Sequence, residues 1–241
     1  MLAAPVATIL CYHEVDPETA VHATVPRRSA TGDQKAEMSR YTVTPEAFAA
    51  QLDYLQQNDY HVIPLAELVE YLEGGRDTLP PRAVVITVDD GWACAYSDIA
   101  PALRKRGLPF TLFIYPKIVG RGSHALSWAQ IEELARGGAD IESHTFTHSF
   151  LTQTDPQFLQ HELEDSRLEI ARRTGQPVQF LSYPYGDTNA TIAAEAARFG
   201  YRAAVTTERG PITCETPPML LKRYLIHNDT TLEELKTFLL P

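Results

Sequence analysis

Residues 83–91 read AVVITVDDG, and this stretch decides the fold. Six apolar or β-branched residues follow one another without the polar alternation of a half-exposed strand. Such a run is typical of a strand buried on both faces of a parallel sheet. Two adjacent carboxylates and a glycine come directly after it, at the end of the strand where parallel α/β barrels carry their chemistry.

Strand-like and helix-like segments alternate along the rest of the chain, with about seven strand–helix units and no linker. This order predicts the α/β class: a single distorted (β/α)7-type barrel, one catalytic domain over residues 1–241, with its site at the C-terminal ends of the strands. The polar stretch 16–40 shows no periodicity and is predicted to be a long loop. Strands are predicted at 6–12, 60–63, 83–88, 109–115, 140–143, 179–182 and 201–206, and helices from 44 and at 65–72, 97–106, 128–136, 158–173, 188–199 and 231–240.

Composition excludes several classes of partner. Lys and Arg total 21 against 31 Asp and Glu, a formal net charge of −10, so the chain lacks the basic field that nucleic acids require. No apolar run approaches the roughly 20 residues of a membrane helix. Three cysteines without a CxxC pair predict neither a disulfide framework nor a structural zinc knot. The first residues show no charged leader, which fits either a protein not exported by that route or a sequence that begins after its leader.

Asp89 and Asp90 are the first candidates for chemistry, because two carboxylates at the end of a buried strand need a cation or a proton to compensate them. A helix N-cap with a solvated neighbour is the alternative. His144 and His148, four residues apart, reach one ion if the segment is helical or tightly turned; otherwise they are two unrelated loop histidines. One carboxylate and two imidazoles leave a coordination position for water, as catalytic sites do, and the second carboxylate is then placed as a general base.

These residues resemble the motifs of the polysaccharide deacetylases (carbohydrate esterase family 4). Residues 87–91, TVDDG, are similar to the family's T-F-D-D-G, and residues 144–148, HTFTH, match its H-S/T-x-x-H. The resemblance implies that Asp89 is the general base. It also implies that Asp90, His144 and His148 hold a divalent metal, usually Zn²⁺, with Co²⁺ or Ni²⁺ in some members.

The third family motif, R-x-P-Y/W, is partly present at residues 182–185, SYPY, with Ser182 where arginine is usual. The resemblance implies that the backbone N–H of Tyr185 completes an oxyanion hole, and that Tyr183 and Pro184 line the substrate site. Because Ser182 replaces this arginine, the motif does not show which positive charge lies beside the base Asp89.

The sequence resembles one branch of the family, which deacetylates poly-β-1,6-N-acetylglucosamine, a biofilm exopolysaccharide. The resemblance lies in the third motif without its arginine and in residues 12–15, YHEV. That branch implies His13 as the general acid; His227, in an L-x-H context, is the alternative acid. Arg223 resembles a branch arginine at the substrate site, or else pairs with surface acids. Aromatic rings predicted near the strand ends as sugar-stacking candidates are Trp92, Tyr115, Trp128, Tyr183 and Tyr185.

The resemblance therefore implies a metal-dependent hydrolase that removes N-acetyl groups from N-acetylglucosamine units of a glycan, acting outside the cytoplasm. Two alternatives stay open: a C–N hydrolase of the same superfamily acting on a small amide, ureide or lipid-linked sugar, and a catalytically silent glycan-binding module. Glu142, two residues before the first histidine, is interpreted as a solvated surface acid, with support of the metal ligands as the alternative. Oligomeric state is not indicated.

Overall fold

The structure is a computed structural model that describes residues 3–16 and 40–240. Its strands are β1 Pro5–Tyr12, β2 Glu14–Val15, β3 Thr42–Val43, β4 His61–Val62, β5 Ala83–Val88, β6 Thr111–Ile114, β7 Asp140–Ser143, β8 Phe180–Ser182, β9 Ala203–Val205, β10 Ile212–Thr213 and β11 Tyr224–Leu225. The main sheet runs in the order β10-β1-β5-β6-β7-β8-β9, with β4 beside β5 and β11 beside β1, and only β10 in this sheet pairs antiparallel. A short parallel pair, β2 and β3, lies apart.

Helices connect most of the parallel strands, so the predicted α/β barrel-type fold is confirmed. A π-helical turn, Ala95–Ile99, leads into the third helix, and a π segment, His161–Asp165, joins the fifth helix to the sixth. The helices are α1 Pro45–Gln57, α2 Leu65–Leu72, α3 Ala100–Arg104, α4 Trp128–Arg136, α5 Pro156–Gln160, α6 Ser166–Thr174, α7 Ala190–Arg198 and α8 Leu232–Phe238.

Strand β5 is buried on both faces, as its sequence predicts. Val84, Ile86 and Val88 belong to the larger apolar cluster, under the helices. Ala83 and Val85 point the other way, into a second cluster inside the curled sheet. Because side chains alternate along a strand, Thr87 lies on the same inner face as Ala83 and Val85.

The parallel register brings the strand ends to one edge. Tyr12 of β1 lies opposite Val88 of β5, and Ile114 of β6 lies opposite Ser143 of β7. The residues that follow these strands therefore meet at the same edge, where parallel α/β folds place their functional sites.

Several helix ends differ from the predicted bounds because local caps decide them. The helix expected from residue 158 begins at Pro156, since the Asp155 side chain accepts the Phe158 N–H at 2.9 Å. The helix expected at 97–106 includes the π-helical turn and ends at Arg104. The loop predicted at 16–40 lies, apart from its two end residues, outside the described residues. In the part of the chain that is described, no helix is both long and apolar enough to cross a bilayer.

Candidate active site

The tandem aspartates sit on a tight turn at the end of β5. The Asp89 N–H donates to the Tyr12 carbonyl at 2.9 Å, which extends the pairing with β1 by one residue. Asp90 has a φ of 78° and Gly91 a φ of 82°, both in the left-handed region. A Cβ on Gly91 would lie 3.0 Å from Ile114 Cγ2, so this position favours glycine. The turn sends the two carboxylates in different directions.

His144 follows β7 and points at these carboxylates. Its Nδ1–H donates to the Ser182 carbonyl at 2.7 Å, because a carbonyl only accepts. Nε2 lies 3.5 Å from Asp90 Oδ1 and 3.8 Å from Asp89 Oδ2. Burial lowers the pKa of His144, but the hydrogen bond to Asp90 and the charge of Asp89 outweigh burial and raise it.

His148 reaches the same point through a tight turn rather than a helix. Thr145 and His148 both have a φ of 63°, and the Thr145 hydroxyl accepts the His148 N–H at 3.2 Å. His148 Nε2 lies 3.4 Å from Asp90 Oδ1. Burial and the neighbouring His144 lower the pKa of His148 to about 4, so this imidazole is neutral at pH 7.

Asp90, His144 and His148 fit a divalent metal. One ligand atom from each lies within 4.8 Å of the other two. The mixture of carboxylate and imidazole donors is the kind that zinc and similar cations bind, and the Ser182 carbonyl fixes the tautomer of His144 with Nε2 as the ligand atom. Burial raises the pKa of Asp90, but the three nearby imidazoles outweigh it, and the pKa lies well below its ordinary value.

Asp89 is held by a buried arginine. Arg223 Nη1 donates to Asp89 Oδ1 and Nη2 to Oδ2, each at 2.8 Å, and the Ser182 hydroxyl donates to Oδ2 at 2.9 Å. Burial raises the pKa of Asp89, but Arg223 and the neighbouring histidines outweigh it and lower the pKa far below the ordinary range. Arg223 lies near the site, beside Asp89, as the resemblance implies, and its contact with substrate stays a prediction. It is 1% exposed, so the alternative of an ion pair with surface acids is wrong. It supplies the positive charge that the third motif lacks.

The third motif places one aromatic ring at the surface and buries another. Tyr183 is fully buried and Pro184 is buried, so the interpretation of their side chains as substrate contacts is wrong. Tyr185, with a φ of 60°, is 55% exposed, and its hydroxyl lies 3.2 Å from His148 Nδ1.

His13 lies beside the Asp89 carboxylate, and the ring of Tyr41 contacts both His13 and His227. One ligand atom of His13 lies within 4.8 Å of an Asp89 oxygen. The Tyr41 ring centroid is 4.7 Å from that of His13 and 5.1 Å from that of His227. Burial lowers the pKa of His13, against the opposing charges of Asp90 and Asp89.

A second compact group, Cys11, His13 and Asp89, does not fit a cation. The charge of Asp89 is already neutralised by Arg223, whose guanidinium would repel a second cation at this carboxylate. Burial raises the pKa of the Cys11 thiol well above its usual value, so the thiolate that a metal needs is disfavoured.

The sequence profile of the family described as polysaccharide deacetylase matches residues 76–204, which include the aspartates, both histidines and the third motif. The chain belongs to the polysaccharide deacetylase family. YxkH of Bacillus subtilis (strain 168), provisionally named a polysaccharide deacetylase, is 35% identical over 169 residues, which are 70% of this chain and 60% of YxkH. The poly-beta-1,6-N-acetyl-D-glucosamine N-deacetylase of Staphylococcus epidermidis is 26% identical over 206 residues, 80% of this chain and 71% of that protein.

Solved deacetylases share the fold over nearly the whole chain. Streptococcus pyogenes PplD, in a complex with acetate, has a TM-score of 0.82 and 24% identity, and covers 99% of this chain and 100% of its own. IcaB from Ammonifex degensii has a TM-score of 0.77 and 26% identity, covering 98% and 97%. These structures confirm the predicted fold of this chain.

The other predicted aromatic residues differ in position. The half-buried Trp92 donates its indole N–H to Asp90 Oδ2 at 3.0 Å and so orients a ligand of the candidate metal site. The Tyr115 ring lies 5.0 Å from that of His148. Trp128 begins α4 and packs against the larger apolar cluster, in line with the alternative of a core residue.

Three features of the site were not predicted correctly from the sequence. Glu142 is 1% exposed and accepts the backbone N–H groups of Gln179 and Phe180, so its interpretation as a solvated acid is wrong; burial and Asp140 raise its pKa. Glu162 is fully buried against the segment between the two histidines. Phe150, an ordinary loop residue by sequence, stacks on Tyr185. Spacing in the sequence carries no signal for these long-range contacts.

Proposed function

We propose that this deacetylase hydrolyses the N-acetyl groups of N-acetylglucosamine units in poly-β-1,6-N-acetylglucosamine, with a divalent metal, most simply Zn²⁺, held by Asp90, His144 and His148. One observation carries the proposal. The turn after β5 aims Asp90 at two imidazole nitrogens, 3.5 and 3.4 Å away, while Asp89 stays beside them, bound to Arg223. A cation bound there would supply Lewis-acid polarisation of the acetyl carbonyl and activation of water.

Asp89 is proposed as the general base. Its Oδ2 accepts from both Arg223 and Ser182, whereas Oδ1 accepts a single hydrogen bond from Arg223 among the described residues. A carboxylate oxygen has two lone pairs, so Oδ1 keeps one site for the proton of an attacking water. The low pKa keeps Asp89 ionised throughout the neutral range.

His13 is proposed as the general acid. A protonated imidazole with a lowered pKa is a stronger acid, and it would give its proton to the leaving amine. The proximity to Asp89 supports His13 over His227. The backbone N–H of Tyr185 is proposed to donate to the oxyanion of the tetrahedral intermediate.

A pair of exposed rings supports a glycan over a small amide. Tyr185 is 55% and Phe150 43% exposed, and the two rings stack with centroids 4.1 Å apart at 13°. Through its hydroxyl, Tyr185 also contacts His148. This apolar surface beside the candidate metal site suits the C–H face of a sugar ring. An exopolysaccharide substrate implies action outside the cytoplasm.

The test is acetate release from β-1,6-linked N-acetylglucosamine oligomers, compared with β-1,4-linked oligomers and a panel of small amides and ureides. We expect preference for the β-1,6 oligomers, and Asp89→Asn is expected to lose about 10²–10⁴-fold in rate while it still binds zinc. Faster turnover of a small amide would favour the other C–N hydrolases. Tight oligomer binding with no acetate release would show a silent binding module.

A further inference from the structure

Glu162 is a buried carboxylate on the π segment between α5 and α6. It is fully buried, and its Oε2 accepts hydrogen bonds from the N–H groups of Phe146, at 3.0 Å, and Thr147, at 2.9 Å. Its Oε1 accepts the hydroxyl of Thr147. Within the described ranges no lysine or arginine forms an ion pair with Glu162. A buried carboxylate is costly without compensation, so these three donors are what stabilise it.

The donors all belong to the turn that joins the two histidines of the candidate metal site. Thr145 and His148 both adopt a φ of 63°, which is disfavoured for residues with side chains. The turn therefore depends on contacts from outside to keep its shape.

All four backbone N–H groups of the turn are bound. The Thr145 N–H donates to the Ser143 hydroxyl at 3.2 Å, and the His148 N–H to the Thr145 hydroxyl at 3.2 Å. The two N–H groups between them both donate to Glu162. Glu162 thus binds both N–H groups at the centre of the turn from a different part of the chain. The Lys117 N–H also reaches the centre of the turn and donates to the Phe146 carbonyl at 3.1 Å.

We propose that Glu162 is a positioning residue for the metal: it holds the turn so that His144 and His148 converge on one cation. This inference rests on the metal site of the proposed function. Without Glu162 the turn relaxes away from its disfavoured φ values, and metal binding must then restore them. Outer contacts of metal ligands typically change metal affinity about 10–100-fold, and we expect that loss for Glu162→Gln.

The test compares the dissociation constant for Zn²⁺, measured by competition with a chromophoric chelator, in the wild type, Glu162→Gln and Glu164→Gln. The control removes the same charge two residues away, where the half-exposed Glu164 accepts from Gln160, at 2.7 Å. Glu162→Gln puts an amide N–H₂ group among the donors of the turn. We expect a dissociation constant about 10–100-fold higher for Glu162→Gln and within about twofold of the wild type for the control.

Further measurements separate positioning of the metal ligands from general support of the fold. The metal-free Glu162→Gln protein is expected to keep its near-ultraviolet circular dichroism, while the d–d absorption bands of its Co²⁺ form shift. A lower melting temperature with an unchanged Zn²⁺ dissociation constant would overturn the proposal. Thr147→Val removes the hydroxyl donor to Glu162, together with the contact of that hydroxyl with the Ser149 hydroxyl at 2.7 Å. It is expected to weaken Zn²⁺ binding about tenfold, the size of one hydrogen bond to a charged group.

Thr147→Val decides the outcome if Glu162→Gln does not fold, because unchanged Zn²⁺ binding in Thr147→Val also overturns the proposal. The measurement is independent of catalysis. A wild type that binds Zn²⁺ but releases no acetate would refute the proposed function and leave the role of Glu162 intact.

Discussion

Replacing Arg223 with methionine isolates the electrostatic support of the proposed base. Arg223 and Asp89 are 1% and 2% exposed and share two hydrogen bonds of 2.8 Å. Methionine fills part of the space without the charge, so Asp89 stays buried with the Ser182 hydroxyl as its remaining side-chain donor among these partners. Arg223→Met also removes the donor to the Thr206 carbonyl, at 2.9 Å.

Breaking a buried ion pair by removal of one partner typically costs about 3–5 kcal/mol, because the other charge is left uncompensated. We expect this loss in the free energy of unfolding at pH 7. For a chain of this size it corresponds to a fall in melting temperature of roughly 6–20 °C, at about 2–4 °C per kcal/mol. The exposed pair Arg172–Glu169, at 2.8 Å, gives the matched control, and Arg172→Met should cost less than about 1 kcal/mol.

The free energy of unfolding should depend on pH differently in the wild type and in Arg223→Met. In the wild type the folded-state pKa of Asp89 lies below the unfolded value of about 3.9, so the pair stabilises the fold above that pH, and this contribution is lost as pH falls through the folded value. In Arg223→Met, burial acts on Asp89 without its main opposing charge and raises its pKa. The stability gap between the two proteins should therefore narrow as the pH falls from 7 to 4.

Urea unfolding of the metal-free proteins at a series of pH values measures both effects. Arg223→Met combined with Asp89→Asn should cost less than the sum of the single changes, with a coupling of about 0.5–3 kcal/mol. Three results would refute the assigned ion pair. They are additive losses in the double variant, a loss of unfolding free energy below about 1 kcal/mol in Arg223→Met, and a stability difference between wild type and Arg223→Met that does not change with pH.

Three further predictions concern the site itself. Histidines bind a metal in their deprotonated form, so the affinity for Zn²⁺ should fall about tenfold per pH unit below the raised pKa of His144. It should fall more steeply below about pH 4, where His148 also takes a proton. Calorimetric titration across pH measures the affinity, and an affinity independent of pH contradicts the prediction. His13→Ala should lower kcat for acetate release about 10²–10⁴-fold while His227→Ala changes it less than tenfold, and the reverse order would move the acid role to His227. Phe150→Ala should raise KM for oligomers several-fold, because a lost aromatic contact costs about 0.5–1.5 kcal/mol of binding free energy. The KM for a monomeric amide should not change. Equal increases in both KM values would exclude sugar stacking.

The fold could be predicted because strand β5 is indicated by its local sequence. The AVVITV run, buried on both faces, and the aspartates after it follow from local sequence alone. The helix start at Thr44 was equally local, since that hydroxyl accepts the Ala47 N–H at 3.2 Å. The short strands β10 and β11 have two residues each and form only through pairing with β1, so no periodicity could indicate them.

The surroundings of the site were less predictable because they depend on distant parts of the chain. Arg223 is 134 residues from Asp89. The pairing of β11 with β1 and the bond from the Arg223 N–H to the Glu208 carbonyl, at 2.9 Å, bring it near. The burial of Tyr183 depends on the apolar cluster around it. The contact of Glu162 with the histidine turn arises from a π segment that sequence spacing does not reveal.

The dependence of deacetylation on a metal at Asp90, His144 and His148 is the central claim, and one measurement tests it most directly. Acetate release from β-1,6-linked N-acetylglucosamine oligomers is followed with chelator-stripped protein as Zn²⁺ is added back stoichiometrically. The account predicts that activity is lost on stripping, returns in full with one equivalent of Zn²⁺, and never returns in His144→Ala. Undiminished activity in the stripped protein, or full activity in His144→Ala, would contradict it.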